Sequence, residues 1–321
     1  MLMTIGLIAG GFVCLYLGGE WLVRGAGDLA LRLGMSSFMV GMTVVAFATS
    51  SPELAVSLDA AFRGVHGVAV GNVVGSNICN IALVLGLAAT IRPIKVEARV
   101  IAVDVPLLIV VTAGMALLLW NGQASRIEGL LLITGLVIFI WQNVRVARRE
   151  RARVREEFEH AAPPPGKSPL ADIGLVAAGI VALVGGGYLF VKGAVILAEM
   201  LNVAPAIISL SLVALGTSLP ELATSLVATL KGEGDITAGN VIGSNFFNIL
   251  GILGITAVIQ PLDRAGVTLV DLTVMVGVTI LLLPLMFSRR SIGRAEGVLL
   301  LVIYAGYLWW LAESGQVPGT V

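Results

Sequence analysis

The chain repeats itself without a gap. "VAFATSSPELAVSLDAAFRG" at 45–64 is answered by "VALGTSLPELATSLVATLKG" at 213–232, and "GNVVGSNICNIALVLG" at 71–86 by "GNVIGSNFFNILGILG" at 239–254. Thr49 and Thr217 stand 168 positions apart, as do Pro93 and Pro261. Fainter echoes keep the same offset: Gly18–Gly19 with Gly186–Gly187, Arg24 with Lys192, and Arg126 and Glu128 with Arg294 and Glu296. An internal repeat of this kind decides architecture before any single residue does, because the fold must be built from two copies of one unit.

The unit is a membrane unit. Only 12% of residues are charged and mean hydropathy is +0.99, against about a quarter charged in soluble domains. Apolar runs of about 20 residues recur, the length that crosses a hydrocarbon core as a helix. The short alternating segments of a β-barrel are missing from the pattern. Ten helices are predicted, over roughly 3–31, 36–63, 68–91, 98–120, 126–146, 170–200, 204–230, 236–260, 266–287 and 293–312. "RVARRERARVREEFEHAAPPPGKSP" is the one substantial hydrophilic stretch between them.

Lys and Arg concentrate on the cytoplasmic side of membrane proteins. With the 147–169 linker inside, Arg32, Arg92, Lys95, Arg99, Lys231, Arg289, Arg290 and Arg294 fall on the same side, leaving Arg63, Arg126 and Arg264 opposite. Ten spans then place both termini outside a multi-pass protein of the cell (inner) membrane. Each copy holds five helices, an odd number, so the second runs through the membrane upside down. The expected fold is an all-α membrane protein of ten transmembrane helices in two inverted-topology five-helix repeats. The first covers 1–146 with its motif at 41–93, and the second 170–321 with its motif at 209–261. Inverted repeats are the architecture of many secondary transporters, with the substrate site at the repeat interface near the midplane.

Polar groups at that depth have to be explained. Pro52 and Pro220 interrupt their spans, because proline lacks an N–H and crowds the carbonyl four residues back, here Ala48 or Gly216. Carbonyls freed at bilayer depth must face protein, water or an ion. Ala46, Thr49, Ser50 and Glu53 share one helical face by their spacing, as do Ala214, Thr217, Ser218 and Glu221. The following helices add Asn72, Ser76 and Asn80 at i, i+4, i+8, mirrored by Asn240, Ser244 and Asn248. Gly71 with Gly75, and Gly239 with Gly243, permit close helix approach. The donor set is all oxygen with two carboxylates, which suits a hard cation: Ca²⁺ takes 6–8 oxygens in flexible geometry, while Zn²⁺ favours nitrogen or sulfur. Na⁺, close to Ca²⁺ in size, accepts the same ligands, so one site can serve exchange by competition.

The remaining chemistry-bearing residues read as structural. Glu20, Arg24 and Asp28 are spaced to pair along the first helix, Asp104 and Asp271 lie near an interface, and Asp59 is off the ligand face. Cys14 and Cys79 sit in apolar spans as small hydrophobes, and His66 and His160 fall in solvated loops. "MLMTIGLIAGG" reads as the first span, not a signal peptide. No basic domain for nucleic acid is present, and Ser50 and Ser218 have no histidine or lysine base that would make an enzyme of the chain.

"TSSPE" at 49–53, "TSLPE" at 217–221, "GNVVGSNICN" at 71–80 and "GNVIGSNFFN" at 239–248 resemble the two α-repeats of the calcium/cation antiporter superfamily, specifically its sodium/calcium exchanger branch. The resemblance covers nearly the whole chain. It implies that Glu53 and Glu221 are central ligands shared by Ca²⁺ and Na⁺. It further implies hydroxyl and carbonyl oxygens from Thr49, Ser50, Thr217 and Ser218, carbonyls from Ala46 and Ala214 at outer and inner Na⁺ sites completed by Ser76 and Ser244, and Asn80 and Asn248 beside the centre. The implied mechanism is alternating access, with the first and sixth helices sliding across the other eight. No cofactor is implied, only Ca²⁺ and Na⁺ as transported ions, in a monomer or homodimer within the bilayer. Position 248 is Asn where several relatives, including potassium-using ones, carry Asp, so K⁺ is not expected to be needed. The linker is too short for the calcium-sensing domains of animal exchangers. A proton/calcium antiporter of the same superfamily and a passive cation channel remain as alternatives, the first opposed by four hydroxyl residues suited to Na⁺.

Overall fold

The computed structural model describes residues 2–33, 35–157, 168–200, 214–264, 266–287 and 290–314. Its helical segments are α1 Leu2–Leu33, α2 Ser37–Thr49 and α3 Ser51–Phe62, α4 His66–Ile91 and α5 Val100–Asn121, and α6 Arg126–Glu157. The second half continues with α7 Pro169–Met200, α8 Ala214–Thr217, α9 Leu219–Lys231, α10 Gly234–Ile259, α11 Leu269–Phe287 and α12 Arg294–Ser314. Among the described residues, eight helices are long and apolar enough to cross a membrane, and α2 with α3 makes a ninth, bent span. The seventh expected helix, 204–230, is described only from Ala214 onward, so its first part lies outside the described residues.

Two expectations about the helices change. The fifth helix does not stop near 146 but runs to Glu157. Its extension is built from Arg, Ala and Glu, strong helix formers; hydropathy marks where the apolar run ends, not where the helix does. The prolines, too, act differently from a mid-helix kink. α2 ends at Thr49, Ser50 takes φ −82° and ψ 2°, and Pro52 falls in the first turn of α3, where its missing N–H leaves no bond unmade. The limbs bend by 40°. Ser218 repeats this with φ −87° and ψ 4°, Pro220 lying in the first turn of α9.

The two halves interlock reciprocally. Ile94–Lys95 (β1) pairs antiparallel with Ser291–Ile292 (β4), and Gln123–Ala124 (β2) with Leu262–Asp263 (β3). By the repeat offset, β1 corresponds to β3 and β2 to β4, so the two ladders are counterparts with the halves exchanged. The flanking bonds match as well: Val96 N–H donates to Arg290 O at 2.8 Å, and Arg264 N–H to Gly122 O at 2.8 Å.

α1 and α7 meet along glycines seven residues apart, Gly11, Gly18 and Gly25 on one and their counterparts Gly179, Gly186 and Gly193 on the other. A methyl at Gly18 would lie 2.8 Å from Leu183 N, and one at Gly179 2.7 Å from Leu22 N. Only hydrogen fits there, and the backbones touch. Elsewhere α10 rests on α2, with Gly239 and Gly243 against the main chain of Phe38 and Met42. The large core joins α4, α5 and α10–α12 around residues such as Ile78, Leu108 and Phe246. α1 and α7 belong to a second, smaller cluster holding Leu15, Leu22 and Leu183 with Val45 and Val227.

Several charges outside the motifs find partners. Arg32 pairs with the buried Asp172, joining the end of α1 to the start of α7. Glu20 reaches Lys231 of α9 at 2.7 Å, not a neighbour on its own helix. Asp271 receives the Tyr307 hydroxyl at 2.7 Å and the Thr268 N–H at 2.7 Å, and Asp59 pairs with Arg63. His66, expected in solvent, opens α4 mostly buried with Nδ1 3.6 Å from Asp263; His160 lies outside the described residues.

Candidate ion-binding site

The two helix breaks and the two polar stripes meet. Glu53, in the first turn of α3, is 1% exposed, and Glu221, in the first turn of α9, is 0% exposed. Helix N-termini carry a partial positive charge that favours carboxylates, and both glutamates sit at one. Ser50 Oγ donates to Glu221 Oε1 at 3.1 Å, and Ser218 Oγ donates to Glu53 Oε1 at 3.2 Å. Each serine thus serves the carboxylate of the other half.

The threonines follow the same rule. Thr49 Oγ1 donates to Asn240 Oδ1 at 3.2 Å and Thr217 Oγ1 to Asn72 Oδ1 at 3.2 Å. Asn72 Nδ2 also donates to the main-chain oxygen of Glu53 at 3.1 Å and to Ser57 Oγ at 3.0 Å; Asn240 Nδ2 donates to Ser225 Oγ at 3.1 Å. Ser76 joins the Glu53 side, its hydroxyl 3.2 Å from Ser218 Oγ. Ala46 is fully buried, and its carbonyl lies 3.3 Å from Thr49 Oγ1. Ala214 opens α8, and its side chain lies outside the described set.

Asn80 and Asn248 are both 0% exposed, each one residue into a π-helical stretch, Cys79–Leu85 in α4 and Phe247–Leu253 in α10. Such wide turns are rare and gather at functional sites. Asn80 Nδ2 donates to Asn245 Oδ1 at 3.2 Å.

A buried polar atom without a partner costs about 1–3 kcal/mol, and the site holds many. Glu53 Oε2, Glu221 Oε2, Asn80 Oδ1, Asn248 Oδ1 and Ser244 Oγ have no hydrogen-bond partner among the described residues. All five are oxygens able to face a cation, and two belong to carboxyl groups. No group of three or more His, Cys, Asp or Glu occurs among the described residues, so the donor set is two carboxylates with neutral hydroxyl, amide and carbonyl oxygens. That set fits a hard cation of modest charge.

Two further pairs join the site from outside the residues that the spacing marks as ligands. Ser57 and Ser225 are buried and hold the amides of Asn72 and Asn240. Asn77 and Asn245 are 1% exposed, and Asn245 touches Asn80 although the stripe spacing leaves its copy, Asn77, off the ligand face. Both pairs are duplicated at the 168 offset, and Ser57 stands four residues after Glu53, so the signal was there.

A model of the sodium/calcium exchanger protein family matches residues 3–144 and 172–312. The chain is 39% identical to the putative antiporter CaxA of Alkalimonas amylolytica, over 98% of this chain and 100% of that one. It is 32% identical to the sodium/calcium exchanger MaX1 of Methanosarcina acetivorans, over 93% and 95%. Among solved structures, the sodium-calcium exchanger NCX_Mj superposes with a TM-score of 0.83 at 31% identity, covering 96% of this chain and 98% of the other. With the two motifs and the all-helical fold in agreement with these matches, the chain belongs to the sodium/calcium exchanger family.

Proposed function

We propose that the protein is a secondary antiporter exchanging Na⁺ for Ca²⁺ by alternating access, without a requirement for K⁺. The observation that carries this reading is the buried carboxylate pair, each glutamate bonded to a serine of the opposite half and each retaining an oxygen without a partner among the described residues. One Ca²⁺ or two Na⁺ neutralise the two charges; a third Na⁺ would leave the loaded carrier one positive charge in excess. Asn248 adds no charge, and an Asp there would give a further monovalent ion something to hold. Glu53 and Glu221 are the shared ligands in this reading, aided by Thr49, Ser50, Thr217, Ser218, Ser76, Ser244, Asn80, Asn248 and the carbonyls of Ala46 and Ala214.

The architecture we infer is ten spans in two inverted repeats, 1–146 and 170–321, with a cytoplasmic linker at 147–169 and both termini outside. The reciprocal β-ladders and the serine–glutamate and threonine–asparagine hydrogen bonds support it, since these recur with the halves exchanged. The glycine-lined pair α1 and α7, which lies outside the large core and packs in a smaller cluster against α2 and α9, suits the sliding element of an alternating-access carrier. The molecule acts as a transporter in the inner membrane, not as an enzyme.

Proteoliposomes with Na⁺, K⁺ and pH gradients set independently test the reading. The expected result is Ca²⁺ uptake driven by an outward Na⁺ gradient and unchanged when K⁺ is replaced by an impermeant organic cation. Loss of flux on K⁺ removal refutes K⁺ independence. Flux driven by pH alone identifies a proton/calcium antiporter, and flux without any counter-ion a channel.

A further inference from the structure

Asn72 and Asn240 head the two polar stripes, where an amide oxygen invites a ligand role. The structure employs those oxygens otherwise. We propose that Asn72 and Asn240 are positioning residues: each takes the hydroxyl proton of the threonine in the opposite half, so that the threonine oxygen turns its lone pairs to the transported cation. This rests on the exchange reading of the site.

A hydroxyl has one proton and two lone pairs. It ligates a cation only with the proton turned away, and in a dry site that proton needs an acceptor. Among the described residues, three acceptors surround Thr49: the Ala46 carbonyl at 3.3 Å, the Glu221 carboxylate, and Asn240 Oδ1 at 3.2 Å. In the exchange reading the first two are themselves cation ligands. Asn240 is the acceptor that takes the proton without competing for the ion.

The amides are held in the orientation this requires. Asn72 Nδ2 faces the main-chain oxygen of Glu53 at 3.1 Å, a group that can only accept, and Ser57 Oγ at 3.0 Å. The nitrogen is pinned there, and Oδ1 is left to Thr217. In the other half Ser225, fully buried, holds Asn240 Nδ2 at 3.1 Å while Oδ1 receives Thr49. The chain Ser225–Asn240–Thr49 passes from α9 through α10 to α2, so each half sets the direction of the other half's hydroxyl.

The test compares Asn240→Leu, which keeps the shape and loses the acceptor, with Asn240→Asp, which keeps an accepting oxygen, in full-length protein in proteoliposomes. Asn240→Leu is expected to raise the half-saturating Na⁺ concentration about five- to tenfold, the worth of one oriented hydrogen bond. Maximal Ca²⁺ flux at saturating Na⁺ should stay within about twofold of wild type, because positioning acts on binding and not on the conformational step. Asn240→Asp should bind Na⁺ at least as tightly as wild type. A leucine variant with unchanged half-saturation, or leucine and aspartate variants that fall alike, overturns the proposal. The Na⁺-induced rise in melting temperature separates this role from a merely structural one: positioning shrinks the rise itself, whereas a packing defect lowers both melting points equally. If Asn240→Leu does not insert, Ser225→Ala removes only the anchor of the amide. It should raise half-saturation about two- to threefold, and no change again overturns the proposal. Wild-type protein lacking Na⁺-driven flux would refute the exchange reading and this inference with it; wild-type flux with an indifferent leucine variant refutes the inference alone.

Discussion

Glu221→Gln preserves shape and removes one charge. In the structure Glu221 is 0% exposed, with Oε1 held by Ser50 and Oε2 without a hydrogen-bond partner among the described residues. The amide that replaces it still offers an oxygen, and Ser50 can still donate, so the loss is mainly Coulombic. Unit charges about 4 Å apart interact by about 4 kcal/mol at an effective dielectric constant of about 20. A divalent ion doubles that to about 8 kcal/mol. Allowing half for relaxation of the site leaves about 4 kcal/mol for Ca²⁺ and about 2 kcal/mol for Na⁺. At about 1.4 kcal/mol per decade, Ca²⁺ affinity falls about a thousandfold and Na⁺ affinity about thirtyfold. The doubled exponent is the diagnostic, because loss of a purely geometric contact would weaken both ions alike. Calorimetric titration of purified protein with each ion, alongside Na⁺-driven ⁴⁵Ca²⁺ uptake, measures both. Glu53→Gln should behave the same way, since its contacts are the reciprocal ones. A well-inserted Glu221→Gln that binds Ca²⁺ within tenfold of wild type refutes the central-site assignment.

Gly18→Val should lower the melting temperature by several degrees, since even a methyl would lie 2.8 Å from Leu183 N and the overpacking costs about 1–3 kcal/mol; an unchanged melting curve would mean α1 and α7 do not meet there. Asn248→Asp should change cation preference, read from Na⁺- and K⁺-dependent flux, more than Asn77→Asp does, because Asn77 Nδ2 is already committed to Val73 O at 2.7 Å. Tyr307→Phe removes the hydrogen bond to Asp271 and should destabilise by about 1–3 kcal/mol in chemical or thermal unfolding, with Ca²⁺ exchange retained.

Much of this molecule is legible in the sequence because it is written twice. A hydroxyl, proline and glutamate that would be ambiguous alone become a site when they recur at a fixed offset in a chain this apolar. Glu53, Glu221, Ser50 and Ser218 meet as the spacing predicts, and Asn72 and Asn240 join them, though as supports for Thr217 and Thr49. Pro52 interrupts its span as the sequence predicts, but the break itself falls at Ser50, because proline marks the start of the next helix and does not kink a continuous one. The π-helical stretches after Ile78 and Phe246 left no trace in the apolar pattern, which does not distinguish a wide turn from an ordinary one. The end of α6 at Glu157 was hidden because polarity and helicity part company beyond the membrane edge. Glu20 finds Lys231 instead of Arg24 because helix packing brings α9 alongside, which spacing along a single helix does not report.

The hydrogen bonds that complete the site reach far along the chain: 171 residues from Ser50 to Glu221, 165 from Glu53 to Ser218, 145 from Asn72 to Thr217 and 191 from Thr49 to Asn240. Chains are synthesised at about 5–20 residues per second, so roughly 10–30 s pass between the emergence of Glu53 and that of its partners. In that interval the first five helices are already leaving the ribosome while their carboxylate, hydroxyls and amides have nothing to bond to. Hydrocarbon cannot satisfy them, at several kcal/mol for each bare group. α2, α3 and α4 therefore complete these buried bonds only once α8, α9 and α10 have been made, so the centre of the protein closes late in synthesis, with α11 and α12 still to follow.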